Sequence, residues 1–152
     1  MRSRIGALLL VACLTPLPAG AQTTADTGLV DLHTIEHSIR LPAVPILVTP
    51  GVAAALARVA RRLATGGVGL EVVRGKDVAT AHDQGKAVDL RLVDLSRGTP
   101  LPMGSEIRPD DGADTVGPGG REARYRGLLS KVMLEEGFVG DSTRWWHYQL
   151  SH

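Results

Sequence analysis

Cysteine is nearly absent from this chain: Cys13 is the only one among 152 residues. It lies in an N-terminal apolar segment, so a chain cleaved after Ala21 carries no thiol. Such a chain has no disulfide framework, no thiolate metal site and no cysteine nucleophile. Aromatic residues are scarce as well, with two Trp, two Tyr and one Phe, so a core must be built from Val, Leu, Ile and Ala. Charge of one sign is also lacking. The formal net charge is +1, and loss of Arg2 and Arg4 takes it to −1. That excludes the basic field expected of a nucleic-acid partner and gives no general pull toward an anionic membrane.

What is present at the N-terminus reads as an export signal. Arg2 and Arg4 precede the apolar run IGALLLVACL, and PLPAGA closes with small residues at Ala19 and Ala21. The run is too short for a permanent membrane span. Residues 1–21 are therefore expected to be a cleaved signal peptide, with residues 22–152 as a single domain in the periplasm or outside the cell. Leu10, Val11, Ala12 and Cys13 also spell a lipoprotein box, in which Cys13 would carry lipid and anchor the protein to a membrane. Both routes lead out of the cytoplasm.

Periodicity predicts two helices. Thr49 and Pro50 supply an N-cap and a first-turn proline. Val52, Leu56, Val59 and Leu63 then share one face, and Gly66 and Gly67 stop the helix. The second helix runs from Arg121 to Gly137 with Tyr125, Leu128, Leu129, Val132 and Met133 as its apolar stripe. VGLEVV (residues 68–73) reads as a short buried strand, and residues 74–86 as a polar loop. AVDLRLVDL alternates, with Val88, Leu90 and Leu92 on one face and Asp89 and Arg91 on the other. SRGTP turns the chain, residues 103–120 form a long surface loop, and RWWHYQL alternates as a closing strand. The order implies an α+β domain, a mainly antiparallel sheet with two principal helices packed on it.

Two histidines and one carboxylate stand out. His82 and Asp89 lie seven residues apart around Gly85, which lets the chain turn back between them. His147 sits far downstream, amid Trp145, Trp146 and Tyr148. Two imidazoles and one carboxylate can hold one zinc ion and leave a fourth position open for hydrolytic chemistry. The aromatic crowding fits either a walled pocket or a strand that packs on the core. A second pattern, HTIEH at residues 33–37, spells the inverted zinc-protease motif. It lacks a sustained helical stripe and soon meets Pro42, so two exposed histidines near an irregular strand are expected. His152 is terminal.

The run HDQGKAVD from His82 to Asp89 resembles the H-x-x-G-x-A-x-D motif of the zinc D-alanyl-D-alanine dipeptidases, the family that includes the vancomycin-resistance dipeptidases. LPMGS (residues 101–105), RYRGLLSKVMLEEGF (residues 124–138) and WWHY (residues 145–148) resemble that family's later segments in the same order, and LVDL (residues 29–32) its opening strand. The resemblance implies the DD-peptidase/hedgehog-like zinc fold, with His82, Asp89 and His147 holding one Zn²⁺. It implies a metallopeptidase acting on a small D,D-dipeptide or peptidoglycan fragment, with Thr80 near the substrate. Two departures bear on activity. The family's general-base glutamate precedes W-W-H-Y, and here that position is Arg144, which stays protonated. The family's arginine-bearing segment before the histidine motif looks deleted, leaving Arg74 and Lys76 as neighbours without a true match. Asp141 and Glu136 are carboxylates that could replace the base. A descendant that binds metal or peptide without cleaving it is the alternative implied by these departures.

Overall fold

The computed structural model describes residues 28–34, 38–75, 83–107, 113–114 and 117–151. The signal segment, Cys13, Lys76, Thr80, His82, Glu36, His37 and His152 lie outside the described residues. Among the described residues no helix is long and apolar enough to cross a membrane.

The chain enters through β1 (Val30–Asp31), a 3-10 turn at Leu32–Thr34, β2 (Ile39–Arg40) and β3 (Leu47–Val48). Helix α1 (Pro50–Ala64) begins as its capping signals predict: the Thr49 hydroxyl accepts a hydrogen bond from the Val52 N–H at 3.3 Å. Val52, Leu56, Val59 and Leu63 are all buried, and the chain leaves the helix through Gly67 in a left-handed conformation. Strands β4 (Val68–Arg74) and β5 (Ala87–Asp94) form the longest ladder, and the β5–β6 turn leads into β6 (Thr99–Pro100). In that turn the Asp94 carboxylate accepts from the N–H groups of Ser96 and Arg97. Helix α2 (Gly120–Glu135), β7 (Phe138–Gly140) and β8 (His147–Leu150) complete the chain.

The main sheet runs β2-β4-β5-β8-β7, with β6 pairing β5; β2 lies parallel to β4 and the other pairings are antiparallel. A separate antiparallel pair joins β1 to β3. This is the expected α+β arrangement. Leu70, Val72, Val88, Leu90, Leu92 and Tyr148 share one core with Leu56, Val59 and Leu63 of α1 and Leu129 and Met133 of α2. Because strand side chains alternate, Asp89 and Arg91 point to the opposite face. The helices thus pack on one side of the sheet, and Asp89 lies on the other, where it too is fully buried.

Two details differ from the pattern in the sequence. Leu128, placed in the α2 stripe, is exposed, while Leu129, Val132 and Met133 are buried, so the buried stripe is narrower than the pattern implies. The closing strand begins only at His147. Trp145 and Trp146 form a turn, so their side chains do not follow the strand alternation. Trp146 is fully buried, and Trp145 packs against the main core.

His33 of the HTIEH pattern sits in the 3-10 turn, exposed, and not on an α-helix. Its Nδ1 lies 2.8 Å from Asp31 Oδ1 and its Nε2 2.8 Å from the Pro42 carbonyl. The Asp31 carboxylate and the Pro42 carbonyl raise the His33 pKa against a small opposing effect of burial. Burial pushes the Asp31 carboxyl up, but its hydrogen bonds from His33 and the Ile46 N–H outweigh that and hold it below its usual value. A raised histidine stabilises fully below its unfolded pKa and loses that contribution as pH rises through the folded value; a lowered aspartate does the reverse on the acid side. The pair should therefore stabilise most between about pH 4 and 6.5, the two ordinary values. Melting curves of wild type and His33→Ala are expected to differ most near about pH 5.5 and to converge by alkaline pH. A constant difference across that range would show that His33 acts by packing alone.

Candidate functional site

Asp89 is the one charged residue fully buried among the described residues. It sits on the polar face of β5, paired in register with His147 at the start of β8. Its Oδ1 lies 2.8 Å from His147 Nδ1, joining positions 58 residues apart. On the other side, Arg74 Nη2 makes an ion pair with Asp89 Oδ2 at 2.8 Å. Arg74, Asp89 and His147 thus form a row across three adjacent strands.

Arg74 reaches this row through an irregularity. Val72 pairs with Leu90, but Arg74 pairs with Asp89, so the β4–β5 register shifts by one at Val73. Without that β-bulge Arg74 would oppose Val88 and share the apolar face. The extra residue turns it onto the face of Asp89, as bulges beside functional sites commonly do. The sequence pattern alone puts Arg74 in the polar loop; the only trace of the bulge is the doublet Val72–Val73, which breaks the strand alternation.

The turn before β5 explains the small residues of the histidine motif. Gln84 and Gly85 both have positive φ, 53° and 84°. A Cβ on Gly85 would meet Leu29 Cδ2 at 2.6 Å and the Thr49 nitrogen at 3.3 Å. The Gly85 carbonyl accepts from the Thr49 N–H at 2.9 Å, which fastens this turn to the start of α1. Ala87 is buried. His82 immediately precedes the turn and lies outside the described residues.

LPMGS, α2 and WWHY are tied together by one arginine that the sequence did not single out. Arg126 donates from Nε to the Met103 carbonyl at 2.6 Å and from Nη1 to Asp114 at 2.7 Å. Its guanidinium lies 5.0 Å from the centre of the Trp145 ring. Gly104 has φ 95°, and a Cβ there would strike the Arg126 guanidinium. Trp145 Nε1 donates to Ser105 Oγ at 3.1 Å, and its ring meets Trp146 edge-to-face at 5.4 Å. Trp145 also lines a shallow cleft with Arg91, Pro102, Ser105 and Glu106. Tyr148, by contrast, is buried with its hydroxyl bonded to Ser130, and burial pushes its pKa up to about 12 against that bond. It packs the core and is no proton carrier at neutral pH.

The two carboxylates that could replace the base are both engaged. Glu136 accepts from Arg58 Nε at 2.6 Å and Arg62 at 3.3 Å, linking the end of α2 to α1. Arg144 forks onto Asp141 Oδ2 through Nη2 at 2.7 Å and Nε at 3.0 Å. Burial raises the Asp141 carboxyl, but bonds from Thr143 and Arg144 overcome this and hold it well below the usual range. A carboxylate so stabilised is a weak proton acceptor.

A buried carboxylate against an imidazole is suitable chemistry for a divalent cation. Two ligands of one zinc ion bound near 2 Å would lie roughly 3.3 Å apart, so holding such an ion would widen the 2.8 Å contact by about half an ångström. Among the described residues no three His, Cys, Asp or Glu side chains gather as a metal-binding group. The third donor expected from the sequence, His82, lies outside them.

The polar centre of this α+β sheet is thus a buried aspartate–histidine pair at the seam of β5 and β8. Comparison with known proteins narrows it. The D-ala-D-ala dipeptidase family matches residues 47–152, a range that includes the histidine motif and WWHY but begins downstream of LVDL. The chain is 36% identical over 74 residues to a D-alanyl-D-alanine dipeptidase of Enterococcus faecium, covering 47% of this chain and 37% of that relative. It is 38% identical over 78 residues to one of Escherichia coli K12, covering 48% of this chain and 39% of the relative. The chain therefore belongs to the D-ala-D-ala dipeptidase family, while its match spans less than half the length of these curated relatives.

Proposed function

We propose that this protein is a zinc-dependent hydrolase of D,D-dipeptides such as D-alanyl-D-alanine, exported and acting on fragments of cell-wall metabolism. The observation that carries the reading is the 2.8 Å contact of Asp89 with His147, which joins the two motifs that name the family's ligands. His82, Asp89 and His147 would hold the ion, which supplies polarisation of the scissile carbonyl and a bound water of lowered pKa. Asp89 and His147 bring rigidity, being fixed by strand pairing. Thr80 would face the dipeptide. The leader of residues 1–21, or lipid on Cys13, would account for export.

A second reading is favoured by one observation. Arg144, at the position of the family's base, is paired to Asp141, so a protein that binds zinc and peptide without cleaving it is consistent with the same site. Both readings expect one zinc per chain after purification at neutral pH, lost in His147→Ala. Release of D-alanine from D-alanyl-D-alanine by the zinc-loaded wild type separates hydrolase from binder. A wild type that takes up no zinc contradicts both.

A further inference from the structure

Asp89 is wholly buried, yet a carboxylate has two oxygens, and which of them faces a cation is not decided by strand pairing alone. The bulge at Val73 decides it here. It brings Arg74, itself only 16% exposed, to Oδ2 at 2.8 Å, while Oδ1 faces His147. The arginine belongs to a different strand, β4, and lies outside both the histidine motif and WWHY.

We propose that Arg74 is the positioning residue of Asp89: it occupies Oδ2 and so presents Oδ1, in a fixed rotamer, toward His147 and the metal. The inference rests on the zinc reading above. Two opposed effects bear on the sign. A guanidinium beside a ligand repels a divalent ion, which would weaken binding. It also restricts a buried carboxylate to one orientation, and loss of such supporting contacts commonly weakens metal binding by roughly 10- to 100-fold. The second effect dominates in this geometry, because Arg74 lies on Oδ2, the oxygen away from His147, and leaves Oδ1 to face the imidazole.

The test is zinc affinity of the full chain, measured by competition with a chromophoric chelator, alongside thermal melting. Arg74→Met is expected to bind zinc roughly 10- to 100-fold more weakly than wild type. Arg74→Lys keeps the charge but loses the planar fork, and a severalfold weakening is expected. A role in stability alone would lower the melting temperature and leave zinc affinity unchanged. If Arg74→Met fails to fold, Arg74→Lys decides. Wild-type or tighter zinc binding by the folded variants overturns the positioning role and leaves the zinc site standing. A wild type that binds no zinc overturns the site and the positioning role together.

Discussion

Exchanging Arg144 for glutamate is expected to raise zinc-dependent D-alanine release by about 10²- to 10⁴-fold, the usual contribution of a positioned general base. A guanidinium remains protonated at any physiological pH and cannot accept a proton. The turn that carries residue 144 is well anchored: the His147 N–H donates to the Arg144 carbonyl at 3.0 Å, and the Asp141 N–H to the His147 carbonyl at 3.1 Å. A new carboxylate would therefore leave from a fixed backbone position three residues before His147. The wild-type partner complicates the exchange. The introduced carboxylate would be a like charge beside Asp141, and one of two neighbouring carboxylates is driven to hold its proton. The double variant Arg144→Glu with Asp141→Asn removes that repulsion and is expected to exceed the single variant in rate. D-alanine release unchanged in both would show that position 144 is not where this protein needs its base.

Asp89→Ala is expected to destabilise the fold by about 3 kcal/mol, the low end of the range for breaking a buried ion pair. For a domain of this size that corresponds to a fall in melting temperature of roughly 6–12 °C. The magnitude follows from burial. An exposed pair is worth about 0–1 kcal/mol, but Asp89 is fully covered and Arg74 nearly so. Removing the carboxylate takes the Asp89 contact away from both the Arg74 guanidinium and the His147 ring. Replacing both partners with apolar groups of similar volume often restores stability, so Asp89→Leu with Arg74→Met should recover much of the loss in the metal-free protein. A double variant as unstable as Asp89→Ala would show that the carboxylate supports the fold through His147 and not through Arg74.

The two helices and the strand of Asp89 were legible because each carries a sustained period and its own punctuation, as with Thr49, Pro50 and Gly67. The Asp89–His147 contact was legible only through motif resemblance, since a pairing across 58 residues leaves no periodic trace. Three features escaped the sequence for physical reasons. The Val73 bulge is a register event between two strands, and neither strand alone encodes it. The Arg126 cluster gathers a helix, a loop and a turn whose partners share no spacing. Trp145 and Trp146 looked like strand because aromatic residues favour strands, but the backbone bonds linking Asp141, Arg144 and His147 hold them in a turn.

The row of Arg74, Asp89 and His147 works as a parity check on the chain. Each member is drawn from a different strand, and each faces the polar side only while the count along its own strand is right. One residue gained or lost inside a strand would flip its member into the apolar layer. Length in the connecting loops is free of that rule. A lineage could trim or lengthen the link between β4 and the histidine motif and still keep Asp89 facing His147.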